Sequence, residues 1–149
     1  MKLTAVVEKL SQQETPEKPQ SCLIYGAPKT GKTALAVQLA QKYNVILIDI
    51  DKGSQVVFTA LDKKYWDKLE LIEITDTSDD PRGIETVLKI MRASAPISIC
   101  EEHGAVACTL CTVGKKPAFA FNPKKLTTDT VIIFDSLSRL SDSAMAKIL

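Results

Sequence analysis

Apolar residues along this chain gather in short runs divided by polar, helix-forming stretches, and that alternation predicts the elements. Residues 21–25 (SCLIY) are an apolar run ending at Gly26, which predicts a buried parallel strand feeding a glycine turn. Residues 32–43 (KTALAVQLAQKY) hold good helix formers, with Leu35, Leu39 and Tyr43 at four-residue spacing, so a helix follows. Residues 45–50 (VILIDI) read as a second strand buried on both faces, and Leu69, Leu71, Ile72 and Ile74 mark a third. Asp79, Asp80 and Pro81 start a helix expected to run to about Ala93, before Pro96. An irregular, cysteine-containing stretch follows, then a fourth strand over 131–135 (VIIFD) and a helix over 136–149 with Leu137, Leu140, Ala144 and Ile148 on one side. Strands alternating with helices predict an α/β fold with a parallel sheet, and no internal repeat is present.

Composition narrows the picture without redirecting it. A chain of 149 residues with 45% hydrophobic and 25% charged residues is a single folded domain of ordinary size. Residues 11–20 (SQQETPEKPQ) carry two prolines and no apolar side chain, so residues 1–20 are expected to be an N-terminal segment and linker and residues 21–149 the domain. No stretch approaches the roughly 18 consecutive apolar residues of a membrane helix, and the charged start does not match a signal peptide, so a cytoplasmic location without membrane contact is expected. A net charge of +1 gives no bulk reason for a nucleic-acid or acidic partner, so any such surface must be local.

Residues 26–33 read GAPKTGKT, a full match to the Walker A pattern. Gly26 and Gly31 let the backbone bend so that the N–H groups of the loop spanning Ala27, Pro28, Lys29 and Thr30, of which only Pro28 has none, surround phosphate oxygens, and the helix beginning near Lys32 adds its dipole. Lys32 is placed to reach β- and γ-phosphates, and the Thr33 hydroxyl to ligate the accompanying Mg2+. A bare glycine turn would leave the lysine and threonine unexplained. Lys29 is expected to be chiefly solvated.

A phosphate loop needs an acid to hold magnesium, and Asp135, at the end of VIIF, stands in the Walker B position. The second strand ends in Asp49 and Asp51, two residues apart and therefore on one side. Asp51, further towards the loop, is the candidate for polarising the attacking water, and Asp49 a structural acid; capping of the next turn is the plainer alternative. Together GAPKTGKT, LIDID and VIIFDSLSRL resemble the RecA-like ATPase core, and most nearly the phage-type AAA-domain nucleotide-binding proteins of single-strand annealing and recombination. The resemblance implies a three-layer P-loop NTPase, ATP and Mg2+ as ligands, a homo-oligomer in which a neighbour's arginine completes the site, and the host cytoplasm as location if the chain is phage-encoded. It places the catalytic glutamate of RecA-like ATPases at Asp51, one methylene shorter here. Ser136 follows the Walker B acid, where many ATPases of the AAA+ type carry a glutamate. RecA-like cores also have a further strand between the Walker A and Walker B strands, commonly after Walker B, so a chain truncated at its C-terminus is the expectation.

Cys100, His103, Cys108 and Cys111 stand as C-x2-H-x4-C-x2-C, and include the only histidine and three of the four cysteines. Two close pairs of soft ligands suit tetrahedral Zn2+, and four protein ligands leave no open position, so residues 95–130 are expected to form a structural zinc-binding insertion. Small buried cysteines beside a surface histidine are the plainer alternative. Lys115, Lys116, Lys124 and Lys125 flank Phe119 and Phe121, a composition able to contact single-stranded DNA or simply to solvate a small hairpin; for Trp66 and Tyr65 among Lys63, Lys64 and Lys68, core or rim packing is favoured over the same DNA reading. The leading expectation is an ATP-binding, ATP-hydrolysing domain of DNA recombination, favoured over GTP because no asparagine-lysine-x-aspartate motif occurs. Its competitors are a nucleoside or nucleotide kinase with a zinc-stapled lid and a nucleotide-dependent binding module with little hydrolysis.

Overall fold

The computed structural model describes residues 20–77, 79–100, 102–106, 108 and 119–148. In chain order the elements are α1 (Lys32–Val37), continued by a 3-10 segment (Gln38–Gln41), β1 (Asn44–Asp49), α2 (Gln55–Ala60), a second 3-10 segment (Lys63–Lys68), β2 (Leu69–Glu73), α3 (Gly83–Met91), β3 (Ile97–Ile99), β4 (Phe119–Phe121), β5 (Thr130–Asp135) and α4 (Leu137–Ile148). The three long strands form one parallel sheet in the order β2-β1-β5. The expected linker at 1–20 lies almost wholly outside the described residues, as do Cys111, Lys115 and Lys116.

Alternation along the strands sorts their side chains into two layers. Val45 and Leu47 of β1 pack with Val37, Ala40, Val57 and Leu61, so α1 and α2 cover one face. Ile46 and Ile48 pack with Val87, Ile90 and Leu140, so α3 and α4 cover the other. β1, fully apolar from Val45 to Ile48, is buried on both faces as its sequence predicts. The result is an α/β/α sandwich whose central strand delivers Asp49 to the carboxyl edge of the sheet.

The strand expected over residues 21–25 does not form. Leu23, Ile24 and Tyr25 are 66%, 41% and 88% exposed. An apolar run becomes a buried strand only when its backbone pairs with a sheet edge, and among the described residues the outer edge of β5 carries no strand. The stretch expected to be irregular is anchored by β3 and β4, which pair antiparallel and place Ile99 and Phe121 in the core. Among the described residues no helix is long and apolar enough to cross a membrane.

A polar network ties α3 to α4. Buried Asp76 accepts from Gly83 N at 2.8 Å and Ser143 Oγ at 3.1 Å, while the Ser143 hydroxyl accepts from Ile84 N at 3.2 Å. At the surface Glu85 meets Lys147 across the two helices and Lys89 at 2.7 Å along its own. Lys147 and then Lys89 hold the Glu85 carboxyl at about 2, below its ordinary 4.5. A depressed folded pKa contributes stability above the unfolded value and loses it as pH falls through the folded one. The stability gap between the wild type and Glu85→Gln is therefore expected to be largest above pH 4.5 and to close towards about 2. Solvent screening should keep it below about 1 kcal/mol. Urea midpoints of both chains across that range check it.

Candidate functional site

The phosphate loop turns in two places. Gly31 sits at φ 83° and Lys29 at φ 62°, both in the left-handed region, and Thr30 Oγ1 donates to Ala27 O at 2.8 Å across the bend. α1 then opens directly, with Leu35 N donating to Gly31 O at 2.9 Å. From the first residue of that helix Lys32 Nζ curls back over the loop, donating to Ala27 O at 2.9 Å and Gly26 O at 3.2 Å. An ammonium held on its own loop's carbonyls by solvent-exposed contacts is free to exchange them for an anion's oxygens.

The next residue ties the loop to the sheet. Thr33 Oγ1 donates to Asp135 Oδ2 at 2.5 Å, joining residues 102 positions apart. Asp135 is the last residue of β5, and its carbonyl accepts from Ile50 N at 2.7 Å. The Asp135–Ser136 peptide is cis. The Walker A hydroxyl and Walker B acid expected from sequence are thus brought together.

Asp49 and Asp51 are separated by the fold. Asp49, 1% exposed, lies beside Asp135 in the β1–β5 register and beside Glu73 in the β1–β2 register, so three acids end adjacent strands on the α1/α2 face. Asp49 Oδ1 accepts from Asp51 N at 3.0 Å and Gly53 N at 3.3 Å; Glu73 is held by the Ser54 hydroxyl. Burial pushes the Asp49 carboxyl above the usual range, the Asp135 charge adds to this, and backbone N–H groups of Gly53, Ser54 and Asp51 pull against it. Asp51 lies beyond the strand end, exposed, with Oδ1 3.6 Å from Arg139 Nε on α4. Sequence reading missed the Arg139 contact: no motif links a helix arginine to an acid beyond the end of a strand.

The second cluster stands between β3 and β4. The ligand atoms of Cys100, His103 and Cys108 lie within 4.8 Å of one another, with His103 Nδ1 3.8 Å from Cys100 Sγ and 3.6 Å from Cys108 Sγ. Around a tetrahedral zinc, thiolate and imidazole ligand atoms stand roughly 3.5–3.8 Å apart, given Zn–S near 2.3 Å and Zn–N near 2.0 Å. The three residues fit the ion. Cys111, the fourth expected ligand, lies outside the described residues. Arg82 Nη1 stands 3.8 Å from Cys108 Sγ, and His103 N donates to Cys100 Sγ at 3.2 Å. The cluster is docked on the end of β2: Thr75 N donates to His103 O at 3.4 Å, and Gly104, at φ 58°, approaches Glu73 so closely that a Cβ would stand 1.9 Å from its carbonyl oxygen.

The expected base-stacking pair is corrected in part. Phe121 is 3% exposed and offers no ring face to a base, because the β3–β4 pairing turns it into the core. Lys124 and Lys125 stay exposed on a short turn. Trp66 is 36% exposed, packs edge-to-face on Phe58 at 5.3 Å and donates its indole N–H to Leu61 O at 3.1 Å.

No curated protein and no solved structure matches the chain. A family model described as an AAA domain matches residues 18–149, which span both phosphate-loop turns, the paired Thr33 and Asp135, and the cysteine cluster. The chain therefore belongs to the AAA-domain family of P-loop nucleotide-binding ATPase-type domains.

Proposed function

We propose that this chain binds ATP with magnesium and hydrolyses it as a RecA-like domain serving DNA recombination or single-strand annealing, in a homo-oligomer whose neighbouring subunit lends an arginine. The observation that carries the nucleotide reading is the contact between Thr33 and Asp135, a hydroxyl on a carboxylate at the mouth of a lysine-bearing loop. The recombination role rests on the likeness of GAPKTGKT, LIDID and VIIFDSLSRL to the phage-type proteins.

Each residue then has a task. The loop's backbone N–H groups and Lys32 take the phosphates, and Thr33 and Asp135 hold the magnesium. Magnesium, when bound, offsets the negative charge of the phosphates. Asp51, oriented by Arg139 at 3.6 Å, accepts the proton of the attacking water. Asp51→Ala is expected to leave nucleotide affinity within about twofold and to lower turnover by roughly a hundredfold, the ordinary yield of a general base. Phosphate release alongside equilibrium binding checks it, and unchanged turnover would remove Asp51 from the role.

Cys100, His103, Cys108 and Cys111 are read as a structural zinc site, supported by the spacing of the first three around a common centre. Purified chain is expected to carry about one equivalent of zinc. Its removal by chelation should lower the melting midpoint by several degrees, because the insertion would lose its staple. Metal analysis with melting curves tests this. The DNA role is tested by phosphate release with and without a single-stranded oligonucleotide: stimulation supports recombination, whereas equal turnover in both conditions points to a different use of the ATPase.

A further inference from the structure

The Asp49 carboxylate is the best-buried ionisable group of the carboxyl edge, and the nucleotide reading leaves it without a task. It is 1% exposed, and its two oxygens differ. Oδ1 accepts two backbone N–H groups, from Asp51 and Gly53; Oδ2 is buried and has no hydrogen-bond partner among the described residues. A buried carboxylate oxygen left unpaired is costly, and its persistence in a fold calls for a missing partner.

Asp49 and Asp135 are direct register neighbours on adjacent parallel strands, so their side chains leave the same face about 5 Å apart. Asp135 is the acid that meets Thr33. Among the described residues no lysine or arginine is paired with either acid. Two like charges side by side, one with an unmet oxygen, form a site for a cation.

We propose that Asp49 is the second carboxylate of the cation site at Thr33 and Asp135, its unpartnered Oδ2 facing the divalent ion that accompanies the nucleotide. This rests on the nucleotide reading of the loop. It also divides the two acids of LIDID: Asp49 serves the metal from inside the sheet edge, and Asp51 serves the water from outside.

The test uses Mn2+ as the probe, with binding of Mn2+ to the ADP-loaded chain followed by electron paramagnetic resonance and metal-free ADP affinity measured separately. Asp49→Asn keeps an oxygen to accept the two N–H groups and removes the charge at Oδ2. The expected result is a loss of Mn2+ affinity of at least about tenfold, with metal-free ADP affinity unchanged. Mn2+ affinity within twofold of wild type would overturn the assignment of Asp49 and leave the nucleotide reading standing. A wild-type chain that binds neither ADP nor Mn2+-ADP would overturn both. Should the asparagine variant fail to fold by circular dichroism, Asp49→Ser, whose hydroxyl also accepts a backbone N–H, gives the same arms.

Discussion

Lys32→Ala is expected to abolish measurable ATP binding while leaving the fold intact. The Lys32 ammonium is the one described side-chain cation that reaches over the loop, and its partners in the free chain are the exposed carbonyls of Ala27 and Gly26. Breaking those contacts should cost little stability, since both carbonyls can turn to water. Losing the ammonium opposite a polyphosphate removes charge-assisted hydrogen bonds that together contribute about 3–4 kcal/mol, a fall in affinity on the order of a hundredfold to a thousandfold. A fluorescent ATP analogue reads the affinity and a urea midpoint the stability. Loss of both together would mean that the loop's contacts hold the fold and say little of a ligand. Lys29, at a left-handed φ of 62° and without an assigned contact, should matter far less when truncated.

Gly104→Ala is expected to be the most damaging single methyl group in the described chain. Its Cβ would stand 1.9 Å from Glu73 O and 2.8 Å from the Ile74 Cα, both backbone atoms that no rotamer change can move aside. A side chain at φ 58° adds strain of about 1 kcal/mol, and overpacking adds about 1–3 kcal/mol more. The relief available is to lift the cysteine turn away from β2, which breaks the hydrogen bond from Thr75 N to His103 O. Both a lower melting midpoint and weaker zinc retention should follow. Gly53→Ala is the control, because its Cβ meets nothing within 4 Å and its φ is not in the left-handed region. Equal effects at the two glycines would show that the close approach to Glu73 does not matter.

These two sites differ in how far sequence exposes them. GAPKTGKT names the loop, its lysine and its threonine without any fold, because the chemistry of phosphate binding demands those residues at that spacing. The runs VILIDI and VIIFD likewise announce β1 and β5, since short runs rich in β-branched residues leave little ambiguity. Helix α2 escaped notice: QVVFTA has only six residues, three of them β-branched, so neither length nor propensity marks it. The apolar run SCLIY shows the opposite failure, for hydrophobicity alone does not secure pairing with a sheet edge.

The acids show why the chemistry was only half legible. Period-two spacing puts Asp49 and Asp51 on one side, but sequence does not say where the strand ends. In the fold the ladder stops at Asp49, which buries that residue beside Asp135 and sends Asp51 outward to Arg139. The cysteine and histidine spacing pointed to a common centre, yet its seat on the end of β2 depends on a single glycine packed against a strand far from it in the chain.

The most direct measurement is an equilibrium titration of the purified chain with ATP, run with and without Mg2+. The expected result is saturable binding that Mg2+ strengthens, reduced to background by Lys32→Ala. Binding that is absent under both conditions, or is indifferent to Lys32, would contradict the assignment of the loop and of the Thr33 and Asp135 pair as a nucleotide site.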